Sequence, residues 1–585
     1  MTADQNSFRR LIDIGLALSS EKNPARLMET ILLEAKSIAN ADAGTLYIRT
    51  KDDKLDFTIL RTDSLFVAQG GTTGVDISLP SVEMFDEKGQ PNNQNIVSYS
   101  AITGTTVNVS DAYDSDKFDF TGTKKFDEST GYRSTSFLTI PLKNYQEEVI
   151  GVLQLLNSID EETGEVVAFS KEIEPLIEAL ASQAAVALEN QNLIESQKVL
   201  LDSFIELMAS AVDAKSAYTG GHCQRVPELT EMLATAACES TLPNFKDFDL
   251  NEEEWYELHI GAWLHDCGKV TTPEYVVDKA TKLETITDRI HEVRMRFELM
   301  KRDAVIAYQQ KVIDGATDLD VLKEQLDQKV VQLEADFEFV AECNLGGEFM
   351  AEDKIHRLKQ IAELTWTRTL SDRSGVSQEE LKRKSKTPEP DLPVEEKLLA
   401  DRSDHIIEHD AVVHSAAADN LYGFKVDVPE HKYNLGEVYN LSIARGTLTA
   451  EERFKINDHI VQTIVMLESL PFPKHLERVP EIAGGHHEKM DGTGYPKRLM
   501  GGTLSIPARI MAIADVFEAL TAADRPYKPA KRLSESIRIM SFMVKDQHLD
   551  GEIFKLFLES GVYRNYADKH LDPEQIDEVA VSDYL

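Results

Sequence analysis

Apolar and polar positions along this chain change period several times, and the changes outline its parts. From Phe8 to Leu18 and from Pro24 to Ile38, apolar residues recur every three or four positions. That is the stripe of an amphipathic helix, and Pro24 suits a first helical turn. Alternating stretches at Ala43–Arg49 and Leu55–Leu60 predict strands. Residues 61–135 are polar and rich in Gly, Ser, Thr and Asp, as in loops around a pocket. Ser136–Leu142 and Val149–Leu156 predict a hairpin of buried strands, and Phe169–Asn190 is helical by period. From Ile173 one long helix is expected to run to about Val212. Ile177, Leu180, Ala184 and Ala187 step by 3, 4 and 3, heptad spacing that suits a dimer contact.

Residues 203–270 and 441–585 are mainly helical by period. Between them lies an insertion, about 281–440. Leu283, Ile286, Ile290, Val293, Phe297 and Met300 form one stripe. Leu319, Leu322, Leu326, Val330, Leu333, Phe337 and Val340 form another after the turn-like Asp314–Asp318. Together they predict an antiparallel helical hairpin. Lys382–Pro393, charged and carrying three prolines, reads as a mobile loop. The expected organisation is an α/β domain over 1–190, a connecting helix over 191–212 and an all-α domain over 203–585 that holds the insertion.

Composition narrows the class. A chain of 585 residues with 42% hydrophobic content can build two to four cored domains. No apolar run approaches the ~20 residues needed to span a bilayer. Met1–Arg10 lacks an apolar signal segment, so a cytoplasmic protein without a membrane partner is expected. Cys223, Cys238, Cys267 and Cys343 show no CxxC spacing, which argues against a disulfide framework or zinc knuckle. A net charge of −39 disfavours wrapping a nucleic-acid polymer. A small anionic substrate stays open, provided metals or local cations receive it.

The candidate chemistry lies where imidazole and carboxylate groups interrupt apolar helices. His265 and Asp266 end an apolar face with Leu258 and Ala262. His459 precedes "IVQTIVML", and Asp515 interrupts the otherwise apolar run "ARIMAIADVFEALT" (508–521). A lone buried charge there would cost several kcal/mol, so pairing or metal binding is expected. His486 and His487 stand side by side before the Gly-rich turn Gly492–Pro496. Adjacent histidines can lean toward different ions. His222, His265, Asp266, His459, His486, His487 and Asp515 offer nitrogen and oxygen ligands without thiolate. That mix suits iron, manganese, nickel or zinc in an open hydrolytic site. Two metals ~3.5–4 Å apart can activate water and clamp a phosphodiester, with Asp266 placed to bridge them. His405-Ile406-Ile407-Glu408-His409 matches H-x-x-E-H, but a five-residue match without a further ligand is weak.

Two family resemblances extend this reading. The order of elements in 1–190, with "FLTIPLKN" (137–144) and "VIGVLQLLNS" (149–158), resembles a GAF domain, a sensory module. Its cyclic-nucleotide-binding members carry an Asn-Lys…Phe-x-x-x-Asp-Glu pattern. Here Asn157, Phe169 and Glu174 match, whereas Ser158 and Ile173 do not. No cysteine precedes Cys223, which excludes a thioether-linked bilin. The expected partner is an unidentified small-molecule or protein signal.

"HDCGK" (265–269), "HHEKMDGTGYP" (486–496) and "DVFEALTAADRPYK" (515–528) resemble the HD-GYP family of HD phosphohydrolases. The resemblance implies bacterial signalling and hydrolysis of cyclic di-GMP to pGpG or on to GMP. The seven residues above would be metal ligands, with iron or manganese the leading candidates. Asp266 and Lys269 would be catalytic, Lys269 contacting the scissile phosphate. Arg525 and Lys528 would hold the other phosphate or a guanine, and Gly494, Tyr495 and Pro496 would form the rim. Three-metal members carry Glu where this chain has Tyr218, which favours two metals over three. A 3′,3′-cyclic GMP-AMP phosphodiesterase and a non-catalytic dinucleotide receptor remain the alternatives. A homodimer is expected.

Overall fold

In the computed structural model, strand alternation builds the sheet of the N-terminal third of the chain. The structure describes residues 3–584 except 22, 216–220, 348, 411–412, 414–419 and 523–529; for 3–10 and 19 it describes the backbone alone. The chain divides into two units, Met1–Leu201 and Asp202–Leu585.

In the first unit, six strands pair antiparallel in the order Val67–Gly70, Lys54–Thr62, Ala41–Arg49, Val149–Ile159, Phe137–Lys143 and Val107–Val109. Two short strands, Val82–Glu83 and Val166–Val167, add to its margins. The period of two puts alternate residues on opposite faces. Leu46, Leu138, Leu153 and Leu155 meet the helices Pro24–Ile38 and Glu174–Lys215. Tyr47, Phe137 and Val152 face the other way, toward Val97 and Phe120. The polar stretch 61–135 supplies two short helices, Ile96–Thr103 and Thr121–Thr130, over this second face. They roof a cavity of about 510 Å³ among Tyr47, Phe57, Asn95, Phe120, Tyr132 and Gln154.

The heptad-like residues of the long helix have a different use from the expected one. Ile177, Leu180 and Ala184 are buried in the core of the first unit. A helix lying on a sheet needs the same three-and-four stepping as a helix meeting a helix, so period alone did not identify the partner.

The second unit is helical. Its main core joins His222–Cys238, Glu252–Leu264, Ile506–Thr521, Leu533–Lys545, Gly551–Glu559 and Val562–His570. The insertion contains the expected pair, Ile290–Ile313 and Leu319–Asn344, which pack together with Phe297 edge-on to Phe337. It holds more than a hairpin, however. Glu352–Ala362 and an antiparallel ribbon, Thr365–Arg368 with Val394–Lys397, share its core through Leu358 and Trp366. Lys382–Pro393 also departs from a loose loop. Lys384 ends a short helix and is buried between Asp372 (3.1 Å) and Asp404 (3.0 Å). Two carboxylates compensate its desolvation, which a count of charges and prolines does not reveal.

Candidate metal centre

Separate helices deliver the site. An Asn251–Glu254 capping box starts Glu252–Leu264, and His265 follows its last turn. Asp266 then heads the tight turn Cys267–Thr271. A Thr449–Glu452 capping box starts Ala450–Glu468, which carries His459 in its middle. His486 and His487 follow the short helix Val479–Gly484. His222 opens His222–Cys238, and Asp515 lies in Ile506–Thr521.

Two groups of potential ligands result. In one, His459, His486 and His487 bring ligand atoms within 4.8 Å of one another; in the other, His222, His265 and Asp266 do the same. The groups adjoin. His459 Nε2 lies 3.3 Å from Asp266 Oδ1, and the His265 and His486 rings are 5.1 Å apart. Asp515 Oδ1 lies 3.5 Å from His222 Nε2.

The hydrogen bonds around these rings test whether a cation fits. His265 Nδ1 donates to Ala262 O at 2.7 Å, His459 Nδ1 to Ile456 O at 2.5 Å, and His486 Nδ1 to Ala483 O at 2.7 Å. A carbonyl can only accept, so each Nδ1 carries a proton and each Nε2 is turned toward the other groups of the site. His265 Nε2 and His486 Nε2 are buried without a hydrogen-bond partner. His459 Nε2 and His487 Nε2 approach to 3.1 Å. Burial pushes the His486 imidazolium down to about 4, and burial with its His486 and His459 neighbours pushes His487 well below the usual range. Buried ring nitrogens that face one another and a carboxylate, two of them without a hydrogen-bond partner, are costly unless a cation is shared among them. The donor set therefore fits divalent metal.

Lys269 belongs to the same site. Its Nζ lies 2.5 Å from Asp266 Oδ2. Burial opposes its charge, but Asp266 and Asp515 outweigh burial and raise its pKa. Burial likewise opposes the Asp266 carboxylate, and Lys269 leads the neighbours that hold it well below the usual range.

Three positioning features escaped the sequence reading. Glu518 is buried and accepts from His222 Nδ1 at 2.5 Å and from Arg225 Nε at 2.7 Å. That fixes the His222 ring and turns its Nε2 toward Asp266 Oδ2, at 3.1 Å. Burial lowers the His222 pKa, but Asp266 and Glu518 prevail and hold it at about 10. A metal at that Nε2 must displace its proton. The signal was available: Glu518 is a second carboxylate in the run that holds Asp515.

Gly268 is the second feature. A Cβ there would lie 1.9 Å from His459 O, so only glycine lets the turn approach the His459 helix. Its N–H donates to Thr463 Oγ1 at 3.0 Å. Third, the N–H groups of Lys497 and Leu499 donate to buried Glu488 at 2.7 and 2.8 Å, which folds the Gly-rich loop back on itself. Gly494 passes so close that a Cβ would lie 2.3 Å from Lys489 N. Tyr495 stacks on His487 at 4.8 Å between ring centroids, and a cis bond joins it to Pro496.

The insertion reaches this loop. Lys425 N–H donates to Pro496 O at 2.7 Å, and Arg498 pairs with Asp427 at 2.7 Å. Phe424 packs against Val461 and Ile464 on the His459 helix. Arg525 and Lys528, expected to bind substrate, and Tyr218 lie outside the described residues. In the H-x-x-E-H stretch, His409 bonds to Pro429 O and Glu408 pairs with His431, and these residues form no metal-ligand group among the described residues.

Residues 23–188 match the family model described as GAF domain, and residues 393–553 match that described as HD domain. The second match contains His459, His486, His487 and Asp515, and leaves His222, His265 and Asp266 outside it. A 3′3′-cGAMP-specific phosphodiesterase of Vibrio cholerae is 46% identical over 82 residues, 14% of this chain and 19% of that protein. A cyclic di-GMP phosphodiesterase of the same organism is 44% identical over 117 residues, 19% of this chain and 23% of that protein. A cyclic di-GMP phosphodiesterase of Pseudomonas aeruginosa is 40% identical over 86 residues, 14% of this chain and 20% of that protein. The matches thus span about a fifth of the length of these relatives.

Proposed function

From a chain that carries a GAF domain and an HD domain, we propose a metal-dependent phosphodiesterase that hydrolyses cyclic di-GMP to linear pGpG. The observation that carries this reading is the convergence of the His222, His265 and His459 ring nitrogens on Asp266 beside a charged lysine. His222, His265, Asp266, His459, His486, His487 and Asp515 would hold two divalent ions, with iron or manganese favoured by the nitrogen and oxygen donors.

When bound, such ions supply Lewis acidity toward a phosphate and activate water for attack. The chain's own groups do the rest. Asp266 lies between the two histidine groups and supports both. Lys269 keeps its proton beside Asp266, where it can neutralise charge on the scissile phosphate and assist the departing oxygen. A new P–O bond to water forms as the P–O3′ bond breaks, and the 3′ oxygen leaves as a hydroxyl. Tyr495, held flat on His487, offers an aromatic face at the rim for a guanine. Arg525 and Lys528 complete the substrate set.

A second substrate, 3′,3′-cyclic GMP-AMP, is favoured by the similarity to the 3′3′-cGAMP-specific phosphodiesterase of Vibrio cholerae. We infer further a cytoplasmic homodimer in which the GAF domain receives a signal. Among the described residues no helix is long and apolar enough to cross a membrane. The residues lining the GAF cavity include no Lys, Arg or His, so an uncharged molecule suits it better than a cyclic nucleotide.

The test is purification without oxygen, metal analysis, and incubation with each dinucleotide alone and in competition. Linear product from metal-loaded protein is expected. Tight binding with no product from either nucleotide would make the chain a receptor and sink the enzyme reading.

A further inference from the structure

Lys359 and Arg453 are cations without a carboxylate, in a region where carboxylates are committed elsewhere. Neighbouring cations of the insertion are paired: Lys354 with Glu342 at 2.7 Å, Lys397 with Glu363 at 2.7 Å and Arg296 with Glu437 at 2.8 Å. Glu363 stands four residues beyond Lys359, the spacing of a helical ion pair, yet Lys397 takes it. Beside Arg453, Glu452 is bound by Lys279 at 2.8 Å, and Glu451 accepts from the Tyr439 hydroxyl at 3.1 Å. Lys359 and Arg453 are left without an ion pair among the described residues. Both line one cavity of about 620 Å³. Lys359 comes from the insertion, and Arg453 from the start of Ala450–Glu468, the helix that carries His459. Ile443 and Leu448 supply apolar wall, and Tyr439 a half-buried ring. Asp401 completes the lining, with one oxygen accepting from the Tyr439 N–H at 3.1 Å. No lining residue belongs to the metal centre.

We propose that this cavity is a nucleotide site separate from the metal centre, and that its ligand is a nucleoside monophosphate. Two cations on one cavity repel each other, and a phosphate shared between them turns that repulsion into attraction. The net charge of −39 repels anions at long range, so a ligand is held only where it meets the cations directly. The planar guanidinium of Arg453 matches two phosphate oxygens, and Lys359 adds a point charge. A bare phosphate would leave Tyr439, Ile443 and Leu448 wet, whereas a base covers them. The Tyr439 ring is already anchored through its hydroxyl by Glu451. Asp401 can only accept when ionised, which suits a sugar hydroxyl and disfavours a longer phosphate chain. The volume falls within the roughly 300–1,000 Å³ of small-molecule sites. Bound there, the nucleotide would tie the insertion to the helix of His459.

Calorimetric titration of the metal-loaded full chain with GMP and with AMP tests this. The wild type is expected to bind at least one of them. Lys359→Glu/Arg453→Glu is expected to lose one nucleotide equivalent per chain, or to bind it roughly tenfold more weakly or worse, the order expected for losing hydrogen bonds to charged groups. Its metal content and circular dichroism should be unchanged, because both positions are exposed. Should the charge reversal unfold the chain, Lys359→Ala/Arg453→Ala takes its place. Guanosine and inorganic phosphate, each only part of the ligand, are expected to bind more weakly than the nucleotide. Nucleotide held at the metal centre would survive in the double variant and is thereby told apart. A wild type that binds neither nucleotide overturns the proposal, as does binding that the variants leave untouched. Inorganic phosphate binding as tightly as the nucleotide overturns the ligand class. None of these outcomes depends on hydrolysis of a cyclic dinucleotide.

Discussion

His222 and Glu518 are 296 positions apart, yet His222 Nδ1 and Glu518 Oε2 lie 2.5 Å from each other in a buried contact. The carboxylate can only accept, so it fixes the proton on Nδ1 and leaves Nε2 to face Asp266 and Asp515. Glu518→Gln should lower metal affinity roughly 10–100-fold, the usual cost of losing a group that orients a ligating histidine. Titration of metal-free protein with manganese, followed by calorimetry, checks this without an activity assay. Glu518→Asp should retain part of the affinity. Unchanged binding in Glu518→Gln would remove the anchoring role.

The unpartnered nitrogens of His265 and His486 make a second prediction. Chelation should abolish turnover, and iron or manganese should restore it. His265→Ala/Asp266→Ala should bind less than the full metal complement and show no turnover, while circular dichroism reports a retained helical fold. Full metal content in that variant would place the ions elsewhere.

Gly268 is a steric requirement. In Gly268→Ala the added methyl meets His459 O, and neither backbone can retreat cheaply. A destabilisation of roughly 1–3 kcal/mol is expected from overpacking of this kind. A thermal scan should show a lower midpoint, and turnover should fall because the His459 helix is pushed from Asp266. A variant as stable and active as the wild type would mean that the turn is looser than the distances show.

The contact between the insertion and the Gly-rich loop separates packing from charge. Phe424 is 2% exposed against Val461 and Ile464, beside the Lys425–Pro496 hydrogen bond. Phe424→Ala should loosen that brace and raise KM for the dinucleotide several-fold, with a smaller change in kcat. Asp427→Ala breaks only a solvent-exposed pair and should leave both constants near wild type. Steady-state kinetics on the two variants distinguishes these cases. Equal effects would argue for an electrostatic brace.

Much of this molecule was legible as sequence because its informative signals are local. The apolar pattern marked Ala43–Arg49 and Val149–Leu156 as strands, which the structure extends to Ala41–Arg49 and Val149–Ile159, because successive side chains of a strand point to opposite faces. Charges and imidazoles within apolar helices marked His265, Asp266, His459 and Asp515, since such groups are costly unless compensated. What the tertiary structure decided is partnership. Ile177 and Val186 both lie on heptad-compatible stripes, and only packing shows that the first is buried and the second exposed. Lys384 sits in a charged, proline-rich stretch, and only the approach of Asp372 and Asp404 makes it a buried ion cluster. Glu518 resembles any helical glutamate until His222 and Arg225 close on it across nearly 300 residues. Sequence period specifies which face of an element is apolar. Which surface that face meets depends on long-range packing, which no local pattern encodes.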